Sequence, residues 1–350
     1  MQSRLLAIDR AQLIGLVLAL AGALVWAFWD VSPHHFIGED ATDSWGTQWF
    51  YWLIGRRILD GEPFAQTDLL FHPWGKDVYL HSGGNVLDAV LALPFRYLLG
   101  PVRGYNVFAG AILLVNTAAG AWLARTMGAR GPLLLLAGLI AGLSPSVLGE
   151  LDGGRPTQAL VALSLMAMAS AFRLEEDPRP ARAAMAGLWL GLAGLNYWFH
   201  AIFVVLALAG ALPGSIWRLR SSPLLRPFVL CVVGSLGVSL LVALPLAWPM
   251  LQSLGDSQVP GLLVVEDWTL ASWRPETQEG VLIGLETLHL PSLDIAVHTV
   301  DGATPLRPGL AWVELILLVA ALALAPPRAR GLLLGAGLPA RCPPAPVRSA

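Results

Sequence analysis

Residues 11–29 run without a charged side chain, and apolar runs of similar length recur at 104–124, 131–149, 156–173, 227–249 and 309–326. A helix needs about 20 apolar residues to cross a bilayer core. In hydrocarbon every backbone N–H and C=O must be bonded internally, so repeated long apolar runs leave few options besides packed helices. Composition agrees: charged residues are 13% of the chain, against about 25% in soluble domains, and the mean hydropathy is +0.63. The fold class expected is all-α, a polytopic transmembrane helix bundle of about eight spans.

Segment boundaries follow from the same runs. The first, 11–29, follows Arg4 and Arg10, and Ala21-Gly22-Ala23 imitates a signal cleavage site. Because the chain continues as a multispan protein, the run reads as a retained span. A long outer loop, 30–84, comes next. Residues 85–99 are apolar but short and contain Asp88 and Pro94, which suits a re-entrant or interfacial helix. The apolar stretch 183–213 is broken by the polar centre Leu195-Asn196-Tyr197-Trp198-Phe199-His200. It reads as two short helices, 183–196 and 198–213. The seven spans through 249 and the loops between them form one module, 1–249. A second outer loop at 250–308, a last span at 309–326 and a tail at 327–350 complete the chain.

Arginine placement orients it, since short cytoplasmic loops collect Lys and Arg. With the N-terminus inside, the inner segments hold Arg4 and Arg10; Arg125 and Arg130; Arg173, Arg179 and Arg182; Arg218, Arg220 and Arg226; and Arg328 and Arg330. Both ends are then cytoplasmic, in the inner (plasma) membrane. The histidines and 20 of the 24 acids fall outside or at outer span ends. Longer outer loops alone would produce that bias; so would an outward-facing polar site assembled from several loops.

The candidate parts of such a site lie in three places. Asp40 and Asp43 open the first outer loop, and a carboxylate there can serve as general base toward an acceptor hydroxyl. Asp43 also suits an N-cap for a helix beginning at Ser44, which leaves Asp40 as the catalytic choice. Trp45, Trp49 and Trp52 then recur at helical spacing, as in a helix lying in the membrane interface. Lys76 and His81 are phosphate-contact candidates. The short loop 149–156 packs Glu150, Asp152 and Arg155 between two spans: Arg155 either pairs with one of the acids or presents its fork to a phosphate or diphosphate. Tyr197 and His200 cap the short hairpin, and Asp88 is placed toward the same cavity. No metal-ligand spacing, glycine-rich phosphate loop or nucleic-acid-type basic patch is present. The two cysteines, Cys231 and Cys342, form no disulfide framework. No cofactor is expected, with a divalent cation left open.

The order of these features resembles the GT-C superfamily of integral-membrane glycosyltransferases over about residues 10–250. The resemblance rests on one span, a long outer loop opening Gly38-Glu39-Asp40-Ala41-Thr42-Asp43, a Trp-rich interfacial helix, Leu69-Leu70-Phe71-His72-Pro73-Trp74-Gly75, then Gly104-Tyr105-Asn106 and a cytoplasmic Leu123-Ala124-Arg125. It implies an acid of the first outer loop as catalytic base or site organiser, matching Asp40 and, second, Asp43. It also implies a polyprenyl-phosphate-linked sugar donor, a glycan, lipid or protein acceptor, and transfer on the non-cytoplasmic face. Members of that superfamily usually continue with further spans, so this chain reads as a shortened member. Two other classes stay open: a transporter or flippase-like carrier, and a non-catalytic membrane scaffold.

Overall fold

The computed structural model describes residues 34–38, 41–62, 66–67, 69, 76–77 and 86–255. The first and last spans expected from the sequence, 11–29 and 309–326, the loop 250–308 beyond residue 255, and the tail lie outside the described residues. Ten helices and one short strand pair are described. α1 is Thr42–Asp60. β1 (Gln66–Thr67) and β2 (Lys76–Asp77) pair antiparallel, with Gln66 opposite Asp77 and Thr67 opposite Lys76. There follow α2 Leu87–Leu99, α3 Pro101–Thr126, α4 Pro132–Leu143, α5 Pro145–Asp152 and α6 Pro156–Ala159. The series ends with α7 Ala162–Glu176, α8 Pro180–Asn196, α9 Trp198–Leu219 and α10 Leu225–Gly255.

Five helical stretches among the described residues are long and apolar enough to cross a membrane: Pro101–Thr126, Pro132–Asp152, Pro156–Glu176, Trp198–Leu219 and Leu225–Pro249. The protein is thus built as a multi-pass membrane protein. α8, at 17 residues, sits at the lower edge of spanning length. Over the stretch expected as two short helices, 183–196 and 198–213, α8 and α9 meet at Tyr197, and α9 runs 22 residues to Leu219. Proline marks the starts. It stands in the first turn of α3, α4, α5, α6 and α8, where its missing N–H costs nothing and its fixed φ suits a helix.

Small residues let the spans approach. On α4, Gly138 and Gly142 lie against α3: a Cβ at Gly138 would come within 2.8 Å of the Thr117 carbonyl oxygen, and one at Gly142 within 2.8 Å of that of Leu113. On α8, a Cβ at Gly187 would meet Val238 at 2.7 Å and one at Gly191 would meet Val242 at 2.6 Å, both on α10. Lipid tails are as apolar as leucine, so close backbone approach is a main source of attraction between spans. Two of the spans are interrupted. α4 and α5 are separated at Ser144, whose hydroxyl accepts from the Val147 N–H at 3.3 Å. α6 and α7 are separated at Leu160 and Val161. Asn116, buried on α3, closes that second gap: its side-chain NH2 donates to the Ala159 carbonyl at 2.7 Å and its oxygen accepts from the Ala162 N–H at 2.8 Å. A backbone opened inside a membrane needs such a substitute.

The connections fix two ends. One end gathers Arg125, Arg130, Arg173, Arg179, Arg182, Arg218, Arg220 and Arg226. There Arg218 makes a forked pair with Glu175 at 2.6 and 2.7 Å, and Asp177 takes Arg179 and Arg182 at 2.8 and 3.1 Å. The other end carries the turns 153–155 and Tyr197, with α1 and α2 packed beside them. α2, at 13 residues, is too short to cross. α1 buries Tyr51, Leu53 and Ile54 and exposes Trp45, Trp52 and Leu59. Tyr51 meets the rings of Tyr105 and Phe108 on α3 at centroid distances of 6.3 Å each. One face is thus bound to the bundle, and the other offers tryptophan to the surroundings.

Candidate functional site

The site forms where the start of α1 crosses the loop between α5 and α6. Two glycines at positive φ make the crossing possible. Gly38 (φ 71°) lies so close to Asp152 that a Cβ there would strike the Asp152 carbonyl oxygen, and a Cβ on Gly154 (φ 71°) would strike Ser44. The crossing is then pinned by hydrogen bonds. Thr47 Oγ1 donates to the Gly154 carbonyl at 2.8 Å, and Ser44 Oγ donates to that of Gly38. On α3, Asn106 holds the approaching segment 35–37: its oxygen accepts from the Ile37 N–H and its NH2 donates to the His35 carbonyl, each at 3.0 Å.

This crossing sets Arg155 between two carboxylates. Its Nε donates to Glu150 Oε2 at 2.5 Å, and a terminal nitrogen donates to Asp43 Oδ2 at 3.2 Å. All three remain partly open to solvent, with side chains 39%, 25% and 54% exposed respectively for Arg155, Glu150 and Asp43. The bond to Glu150, and then the charges of both acids, hold the guanidinium above its ordinary pKa against the opposing effect of burial. The expected choice between Glu150 and Asp152 as its partner thus falls to Glu150, with Asp43 added from the first loop. Asp152 is exposed, and it is its main chain that meets Gly38. Asp43 does not take the expected N-cap position. α1 starts two residues earlier than expected, at Thr42, with Ala41 preceding it and no side-chain cap. Asp43 therefore lies in the first turn, where the helix dipole favours its charge.

Tyr197 and His200 come to the same place from the α8–α9 turn. Burial, followed by the nearby Glu150 carboxylate, raises the Tyr197 phenol pKa, and Arg155 opposes the shift. The Tyr197 and His200 rings meet edge to face at 5.1 Å. The His200 imidazole lies against the Gln158 backbone, and its Nδ1 is buried with no hydrogen-bond partner among the described residues.

Asp88 departs from expectation. It does not line an open cavity; it is 1% exposed beneath the crossing. Its Oδ2 accepts from Tyr51 Oη at 2.6 Å and from Thr157 Oγ1 at 2.7 Å. Desolvation raises its pKa from 3.8 to about 6, against the lowering effect of those two bonds. The same burial, then the Asp88 charge, raises the Tyr51 phenol. Asn196 extends the chain of bonds, its NH2 donating to the Thr157 carbonyl at 2.7 Å. Asp88 thereby ties α1, α2 and α6 together under the Arg155 cluster.

Tyr51, Thr157 and Asn196 are parts of this end that sequence reasoning missed. Polar side chains inside or beside apolar runs, such as Asn196 and Thr157, were the available signal. Of the other candidates, Asp40 and His81 lie outside the described residues. Lys76 is placed in β2 opposite Thr67, by its backbone alone. Among the described residues no group of three or more His, Cys, Asp or Glu side chains is arranged to hold a metal ion. Compared with models of known protein families and with curated proteins, the chain matches none.

Proposed function

We propose that the protein is a membrane glycosyltransferase-like enzyme that transfers a sugar from a polyprenyl-phosphate donor to a hydroxyl acceptor on the outer face of the plasma membrane, with both chain ends in the cytoplasm. The observation that carries this reading is the meeting of the first-loop acid Asp43 with Arg155 and Glu150, beside a tryptophan-bearing helix suited to the bilayer interface. A lipid-borne substrate reaches such a place laterally.

In this reading Asp40 takes the proton of the acceptor hydroxyl as its oxygen attacks the anomeric carbon. The bond from that carbon to the lipid phosphate breaks, and the phosphate leaves with the electron pair. Ala41, which follows Asp40 in the chain, donates its N–H to the Gly38 carbonyl at 3.0 Å. Arg155 stabilises the charge developing on the leaving phosphate. Its contact with Asp43 is partly exposed, and exposed pairs are worth only about 0.2–1 kcal/mol, so exchange for a phosphate oxygen is inexpensive. Lys76 and His81 are assigned supporting phosphate contacts, and Tyr197 and His200 the wall of the acceptor side.

The interrupted helices favour a second reading, a carrier, since discontinuous spans often build transport sites. The break after α6 is about 6 Å, and that at Ser144 about 12 Å, along the helix from the site end at 1.5 Å per residue, both on the site-end half of their spans. Those positions suit a pocket open to one side better than a midplane relay. The test is the profile of lipid-linked sugars and envelope glycans in a deletion strain. Complementation by the wild-type chain but not by Asp40→Asn, with equal membrane insertion, supports transfer. Equal rescue by both removes Asp40 from the chemistry.

A further inference from the structure

Between α1 and α2 runs an open groove of about 470 Å³, separate from the Arg155 cluster and walled by Trp52, Leu59, Leu93 and Tyr97, with Arg56, Arg96 and the carboxylate of Asp60 on its sides. Arg96 is half-buried, and burial lowers its pKa. Its guanidinium donates to Gln48 Oε1 and, at 3.5 Å, to the Pro101 carbonyl, and it stands 5.7 Å from the centre of the Tyr51 ring. None of these is an anion, and among the described residues no carboxylate pairs with it. A partly desolvated cation satisfied only by neutral acceptors is costly, and a phosphate would offset that cost through charge-assisted bonds. Arg56, across the groove, holds Asp60 at 3.3 Å in an exposed pair that exchanges readily.

The surroundings say where the phosphate comes from. Beside the groove α2 turns outward Tyr97 (61% exposed) and Leu98 (83%), and α1 turns outward Trp52 and Leu59. Aromatic and aliphatic side chains beside arginine are what a helix in the headgroup layer presents. We propose that this groove binds the phosphate of an anionic glycerophospholipid, with Arg96 and Arg56 as its two ligands and Trp52 and Tyr97 flanking the glycerol and upper chains. The assignment does not depend on the transferase reading.

The test uses the full chain in nanodiscs of phosphatidylcholine doped with photoactivatable phosphatidylglycerol, with cross-links mapped to peptides of α1 and α2. Wild type should label there more strongly with phosphatidylglycerol than with an equally photoactivatable phosphatidylcholine. Arg96→Gln and Arg56→Gln should each reduce that labelling by about tenfold, the expected worth of one lost charge-assisted bond. Arg56 is exposed, so its variant keeps the fold and remains informative if Arg96→Gln does not. Equal labelling by the two lipids, or labelling unchanged in Arg56→Gln, would each overturn the proposal.

Discussion

Asp43 and Arg155 are separated by 112 positions in the chain and by 3.2 Å in space. The contact exists because Gly38 and Gly154 let two backbones cross more closely than any residue with a Cβ would permit. Arg155→Gln should therefore leave stability within about 1 kcal/mol of wild type, as expected for partly exposed pairs. It should lower sugar transfer by about a hundredfold or more if its charge acts on the leaving phosphate. Thermal unfolding in detergent and a transfer assay, run side by side, check the two halves of this expectation.

Asp88 gives a pH signature. Its pKa is raised on folding, so the folded chain binds a proton that the unfolded chain has released between about pH 4 and pH 6. The Asp88 contribution to stability is then greatest below about pH 4, falls as pH rises toward 6, and is lost above that. The total change is roughly 3 kcal/mol at about 1.36 kcal/mol per pKa unit. Asp88→Asn should flatten this slope. Tyr51→Phe removes a bond that lowers the pKa, so it should move the protonated-carboxyl infrared band of Asp88 to a higher titration midpoint.

Asn116 is expected to matter for folding rather than for chemistry. In Asn116→Leu the Ala159 carbonyl and Ala162 N–H lose their partner, at about 1–3 kcal/mol for each buried group. The variant should show a lowered unfolding temperature and faster amide exchange at 159–162, with exchange in α10 unchanged.

The α8–α10 contact gives the matching test of packing. Gly191→Leu places a side chain where Val242 already stands. It should cost about 1–3 kcal/mol through overpacking, read as loss of monodisperse protein after solubilisation. Gly210→Leu is the control, because a Cβ at Gly210 has nothing within 4 Å.

Much of this architecture was legible in the sequence. The apolar runs placed α3, α7 and α10, the short length of 85–99 identified α2 as non-spanning, and the polar centre near Asn196 located the α8–α9 turn. Periodicity could not reveal the break at Leu160–Val161, because that gap is apolar and is closed by Asn116 from another helix, whereas the break at Ser144 is capped locally by its own hydroxyl ahead of Pro145. The site was legible as types and not as pairs. The acids and Arg155 stood out, but that Asp43 would pair with Arg155, and that Asp88 would be sealed under Tyr51 and Thr157, depended on a crossing set by two glycines far apart in the chain.

The most direct measurement of the central claim is release of polyprenyl phosphate from a purified polyprenyl-phosphate-sugar donor by the wild-type chain in nanodiscs, compared with Asp40→Asn and Arg155→Gln. The account predicts acceptor-dependent release by wild type, none above background in Asp40→Asn, and strongly reduced release in Arg155→Gln, with all three equally folded. Release at the wild-type rate by both variants would contradict it.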